Sequence, residues 1–252
     1  MHKRAIYLVA RQLWTNAFRS KVMLIALILM GLLLIFSAYT GWENYHDQNL
    51  IRGGVQHEVR ESWENNPDKH PHRMAHYGSF ALRVKHVLSV FDLGMENFVG
   101  NAIFLEAHKQ NTVNFSEASM STGLLRFGEV SLAMLLKVIV PLLIFYLGYA
   151  TLAGERENGT LKLLLGQGVS RKELVFGKWL GLWGLSLIFL WAVFIVVLGF
   201  VIAEAHGPMQ TDTVVRYLVL LVAYGLFFGV LSAIAIWVSA VGKTAKGALV
   251  TL

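Results

Sequence analysis

Charged residues are missing from four long stretches of the chain, and each stretch predicts an apolar helix. Residues 22–42 are uncharged between Lys21 and Glu43. Residues 138–154 are uncharged too, and the apolar run extends back toward Glu129 with Lys137 as its interruption. Residues 179–203 and 217–242 complete the set. Crossing the hydrocarbon core of a bilayer takes about 20 mostly apolar residues. The predicted spans are therefore 22–42, 130–154, 179–203 and 217–242. The first reads as a retained span and not as a cleaved leader. Its uncharged run exceeds the roughly 7–15 residues of a leader's apolar core, and after Ser37-Ala38 the bulky Tyr39 replaces a small residue.

The positions of Lys and Arg orient these spans. Residues 1–21 carry Lys3, Arg4, Arg11, Arg19 and Lys21 and no acid. Residues 155–178 carry Arg156, Lys162, Arg171, Lys172 and Lys178, and the turn 243–246 carries Lys243 and Lys246. The segment 204–216 has Arg216 against Glu204 and Asp212. Basic residues accumulate in short cytoplasmic segments, so the N-terminus, 155–178 and the turn 243–246 are expected inside and 204–216 outside. The expected location is the bacterial cytoplasmic (inner) membrane, multi-pass, with a cytoplasmic N-terminus. Beyond Lys246, Gly247-Ala248-Leu249-Val250-Thr251-Leu252 reads as the start of a fifth span, and the sequence as a fragment of a longer one.

Composition adds exclusions. The chain is 55% hydrophobic and 15% charged, with no cysteine, against about 25% charged in ordinary soluble domains. Disorder is excluded by the high hydrophobicity, and disulfide scaffolds and thiolate metal sites by the missing sulfur. The net charge of +6 follows the cytoplasmic segments. It marks topology, and no nucleic-acid partner is expected.

Residues 43–129 then form an extracytoplasmic domain with 8 basic and 11 acidic residues, and loops of this length cross with little regard for charge. Leu50, Val55, Val59 and Trp63 recur near helical spacing, and Ala102 to Leu105 read as a short strand. The histidines His70, His72 and His76 lie close together there. His72 and His76 have the spacing that aligns ligands on one helix face. Pro71 disfavours a helix through the cluster, and no acid stands between the pair. The reading is solvated or hydrogen-bonded histidines, with no metal site. Lys137, the charge inside a span, is placed either to snorkel to the outer surface or to serve a pathway role. Pro141 is expected to kink that helix.

The densest polar feature is 155–178. Glu155-Arg156-Glu157-Asn158-Gly159-Thr160 leads into Leu161-Lys162-Leu163-Leu164-Leu165, and Gly166-Gln167-Gly168 breaks the chain. Ser170 and Glu173 have capping-box spacing, so a new helix begins there and runs into the third span. The expected result is a short helix at the membrane face joined by a glycine hinge to a span. Gly177-x-x-x-Gly181 and Gly225-x-x-x-Gly229 allow close helix contact.

Gly154 to Leu161, with Leu163-Leu164-Leu165, Val169-Ser170-Arg171-Lys172-Glu173 and Gly177-Lys178, resembles the signature of ABC-2-type permeases, the membrane-spanning subunits of one class of ABC transporters. The N-terminal stretch from Arg11-Gln12-Leu13-Trp14 to Phe18-Arg19-Ser20-Lys21 resembles that family's interfacial elbow helix, with Tyr7, Trp14 and Phe18 on one apolar side. His76-Tyr77-Gly78 and Leu105 to Asn111 resemble a subgroup with a large domain between the first two spans. The resemblance implies an all-α polytopic membrane protein of four spans and the start of a fifth, with a small mixed extracytoplasmic insert. It implies coupling to an ATP-binding subunit through Glu155, Arg156, Glu157, Gly159, Thr160 and Leu161, with Gly166, Gly168 and Ser170 as the hinge. It also implies a second permease copy or homologue, alternating access and, more often than import, export.

No nucleotide site is expected on the chain itself. Gly242-Lys243-Thr244 imitates the tail of a phosphate-binding loop, but Trp237 occupies the position that requires glycine. ATP and Mg are expected on the partner subunit, and the chain is expected to be no enzyme. Two other readings stay open. A membrane-embedded hydrolase would need a nucleophile or metal constellation within the spans, and none is visible in the sequence. A membrane-anchored sensor or scaffold would bind a ligand outside and contact a cytoplasmic partner through 155–178.

Overall fold

The computed structural model describes residues 2–92, 94, 100, 102–109, 130–204 and 210–252. These form a mostly helical protein with four long apolar helices and a small two-stranded sheet. Helix α1 is Lys3–Arg19 and α2 is Lys21–Glu64. The insert contributes α3 (Pro71–Met74), strand β1 (Ser79–Leu82), a 3-10 turn at Val87–Val90 and strand β2 (Ala102–Leu105). Then come α4 (Leu132–Met134), a π-helical turn at Leu135–Ile139, α5 (Val140–Gly148), α6 (Ala153–Glu157) and α7 (Thr160–Gly166). Helices α8 (Arg171–Ala203), α9 (Thr211–Val241) and α10 (Ala245–Thr251) complete the order.

Four helical stretches have the length and apolarity of spans: Lys21–Glu64, Leu132–Glu157, Arg171–Ala203 and Thr211–Val241. The first is 44 residues long, about 66 Å at 1.5 Å per residue, roughly twice the hydrocarbon core. The change of composition at Glu43 is therefore not a helix end. The spacing of Leu50, Val55, Val59 and Trp63 is helical, as expected, but Leu50 and Trp63 are exposed. In the second span the irregularity at Pro141 takes the form of a π-turn. Proline has no N–H for the carbonyl four residues back, here Lys137, and its ring crowds that carbonyl. The turn Leu135–Ile139 widens the helix at that point.

The chain divides into two compact units, one of Met1–Ile35, Ala133–Gly199 and Ala205–Leu252, the other of Phe36–Leu132 and Phe200–Glu204. In the first, Leu182, Leu185, Phe194, Phe228 and Ile236 are fully buried. Apolar helices gain little by leaving lipid for one another, so close packing of small residues and hydrogen bonds must hold them. Both are present. Gly148 on α5 meets Ala235 on α9 so closely that an added Cβ would lie 2.6 Å from the alanine methyl. Trp179 and Trp183 of α8 stack at 5.4 Å and donate their indole N–H groups to the carbonyls of Gly229 and Gly225, at 2.9 and 2.8 Å. The second glycine pair thus exposes backbone acceptors to tryptophan.

The first glycine pair receives α1. Cβ atoms added at Gly177, Gly181 and Gly184 would lie 2.8, 3.1 and 3.1 Å from Val9, Ala10 and Trp14. The Trp14 indole donates to the Gly181 carbonyl at 2.7 Å. The buried side of α1 is accordingly Val9, Leu13 and Ala17, while Tyr7 and Phe18, expected on its apolar side with Trp14, remain exposed. Of the expected apolar side of α1, only Trp14 packs, because it meets the α8 glycines as Val9 and Ala10 do.

In the second unit, β1 and β2 pair antiparallel from Ser79↔Leu105 to Leu82↔Ala102, so the strand expected at Ala102 to Leu105 is present. Leu88, Val90 and Phe91 are buried, and the Val90 carbonyl approaches Gly41 of α2 closely enough that a Cβ there would lie 2.6 Å away.

Candidate coupling site

The segment 149–178 begins where the second span loses its regularity. Helix α5 ends at Gly148 and α6 starts at Ala153, which leaves backbone groups of the intervening turn in need of partners. Ser239 of α9 supplies them. Its hydroxyl accepts from the N–H groups of Leu152 and Ala153 at 3.0 and 3.1 Å and donates to the Tyr149 carbonyl at 2.7 Å. Ser239 is fully buried. A polar side chain in an apolar helix is thereby fully used.

The acidic and basic residues of α6 are also engaged. Glu155 takes the Lys178 ammonium at 2.5 Å, with the side chains 16% and 5% exposed, so this ion pair is largely buried. Arg156 donates to the Ala240 carbonyl at 2.5 Å and to the Gly242 carbonyl, capping the orphan acceptors at the end of α9. Glu157 accepts the Ala245 N–H at 3.1 Å, at the start of α10. The three charged residues thus tie α6 to α8, α9 and α10. Beneath them Ala153, Val238 and Ala248 form an apolar cluster with Leu252 against it.

Gly159 and Gly168 bracket α7, with φ of +76° and +88°. A left-handed residue ends a helix at little cost only when it lacks a Cβ. The Thr160 hydroxyl donates back to the Glu155 carbonyl at 3.1 Å, bridging α6 to α7. Gly166, expected in the hinge, is the last residue of α7, and the chain reverses at Gly168. On α7 itself Leu161 is half-buried, whereas Lys162 and Leu163 are exposed, Leu163 at 68%.

After Gly168 the capping box is present in both directions. The Ser170 N–H donates to Glu173 at 3.0 Å, and the Glu173 N–H donates to the Ser170 hydroxyl at 3.3 Å. The second Glu173 oxygen accepts the His2 N–H from the head of α1. These donors, His2 first and then Ser170, hold the Glu173 carboxyl at about 2, below its ordinary 4.5. Glu173 lies ahead of the apolar run that starts at Trp179, so this carboxylate ties α1 to the first turn of α8.

Lys137 lies in the π-turn and is exposed. Thr244 caps α10 by accepting the Gly247 N–H at 3.1 Å. Residues 245–251 form a short helix whose Ala248 is buried against α6 and α9. Among the described residues, Ser239 is the site residue that sequence reasoning missed, and Lys178, though quoted in the motif, was not read as the partner of Glu155. A serine in an apolar run and a lysine just before one were the available signals.

No curated protein and no solved structure gave a significant match to the chain. A protein family described as ABC-2 family transporter protein matches residues 7–252. That match takes in residues 149–178 and the four apolar helices, and the chain accordingly belongs to the ABC-2 transporter family as a membrane subunit.

Proposed function

We propose that this chain is the permease subunit of an ABC-2 exporter and that residues 155–166 couple it to a cytoplasmic ATP-binding subunit. One observation carries the reading. Glu155, Arg156 and Glu157 are spent on ties to three other helices, while Lys162 and Leu163 are presented outward on a short helix bracketed by two left-handed glycines. A docking element that moves helices needs this division, with one face for the partner and the other fixed to what it moves. ATP and Mg belong to the partner. Its closure would press on α7, and the Glu155–Lys178 pair would pass that displacement to α8.

In this reading the chain pairs with a second copy or homologue, and the insert of residues 43–129 lies outside the cytoplasmic membrane. Lys137, exposed in the chain alone, serves a pathway only if that second copy covers it. The test is purification of the tagged chain from its own membranes. Co-elution of an ATP-binding protein whose hydrolysis rises with the complex is the expected result. Absence of any such protein favours a membrane-anchored sensor or scaffold.

A further inference from the structure

We propose that His72, His76 and His108 form a binding site for a divalent transition-metal ion of the zinc type. Their ring centroids are 5.1, 5.4 and 5.5 Å apart pairwise, and a ligand nitrogen from each lies within 4.8 Å of the others. The spacing of His72 and His76 does not depend on a long helix. Pro71 opens the four-residue helix α3, and the chain turns after Met74. The third ligand comes from the far side of the hairpin. Strands β1 and β2 pair up to Ser79↔Leu105, and the Ala107 N–H donates to the Ala75 carbonyl at 3.0 Å, which carries the pairing on to the histidines. The turn is closed by the Glu106–Lys109 bridge, with a 3.0 Å ion pair across it.

Two features separate this cluster from a chance gathering of surface histidines. His108 has φ of +64° and is the one non-glycine residue with positive φ among the described residues. Such conformations are strained and cluster at ligand sites, although histidine tolerates this one better than most residues. Second, none of the three rings hydrogen-bonds to another described residue, so their nitrogens are available. Three imidazoles suit zinc, copper or nickel. Nitrogens about 2.0–2.1 Å from a tetrahedral ion stand about 3.3 Å apart. Rotation of exposed rings would close the remaining gap. The fourth position stays open to water or to a ligand donor atom.

The site is tested on the full, tag-free chain in detergent, stripped with a chelator and titrated with Co2+ and with Zn2+. The expected result is a visible absorption band from tetrahedral Co2+ that saturates at about one ion per chain and is displaced by Zn2+. His108→Asn keeps a residue that tolerates the left-handed conformation and should weaken Zn2+ binding roughly 100-fold or more, since losing even an outer-shell partner costs 10–100-fold. His72→Ala and His76→Ala should do the same, and His57→Ala, on α2, should change nothing. Absence of saturable binding by the unmodified chain would overturn the proposal. Equal binding by the unmodified chain and His108→Asn would do so too.

Discussion

Lys178, at the head of the third span, and Glu155, in the short helix after the second, meet at 2.5 Å with both side chains largely buried. The pair joins segments separated by 23 residues and closes the α6–α7 element onto α8. Removing one member of a buried ion pair leaves the other uncompensated, which costs about 3–5 kcal/mol. Glu155→Gln and Lys178→Met should each lower the thermal unfolding midpoint and uncouple ATP hydrolysis from transport. The double exchange Glu155→Lys with Lys178→Glu should recover much of both. No recovery would mean that the charges act separately.

Ser239 satisfies three backbone groups at the break between α5 and α6. Ser239→Ala strips partners from two buried N–H groups, at about 1–3 kcal/mol each. The predicted loss is about 2–6 kcal/mol, with faster amide exchange at Leu152 and Ala153. Unchanged exchange would show that the turn is held by other means.

The two glycines after Leu165 should respond in opposite directions. Gly166 is helical with open space where a Cβ would go, so Gly166→Ala should stabilise by about 0.5–1 kcal/mol. Gly168 also has open space, but its φ is +88°, and Gly168→Ala should cost about 1–2 kcal/mol. Paired thermal unfolding measurements decide this, and equal effects would contradict the assignment of the reversal to Gly168.

Glu173 binds the head of α1 and caps α8 at once. Because its carboxyl is held at about 2, its stabilisation is fully present above the unfolded value near 4.5 and is lost as pH falls toward 2. Glu173→Gln should release α1 at neutral pH, detected as increased protease cleavage between Met1 and Arg19. It should also flatten the acid dependence of that cleavage. Resistance equal to the unmodified chain would refute the tether.

The parts of this fold that were legible in the sequence are the parts governed by local or solvent rules. A bilayer demands long uncharged runs, so the four helices stood out, and a capping box is closed within one turn, so Ser170 and Glu173 announced themselves. The ties that build the candidate coupling site are long-range. Arg156 reaches carbonyls 84 and 86 residues away, and Ser239 reaches N–H groups 86 and 87 residues away. Nothing in one chain's spacing registers such pairs. The face of α1 that packs was hidden for a related reason, because its choice depends on glycines of α8. His108 joined His72 and His76 only through strand pairing, whereas the sequence held them 32 and 36 positions apart.

Site-specific cross-linking tests the central claim most directly, because the chain has no cysteine to interfere. A single cysteine at Leu163, 68% exposed on α7, is labelled with a photoreactive thiol probe in native membranes. A cysteine replacing Trp63, equally exposed in α2 beyond the first apolar run, serves as the comparison. The account predicts a cross-link from position 163 to an ATP-binding subunit, sensitive to added nucleotide, and none from position 63. Cross-linking of that subunit at 63 but not at 163 would contradict it.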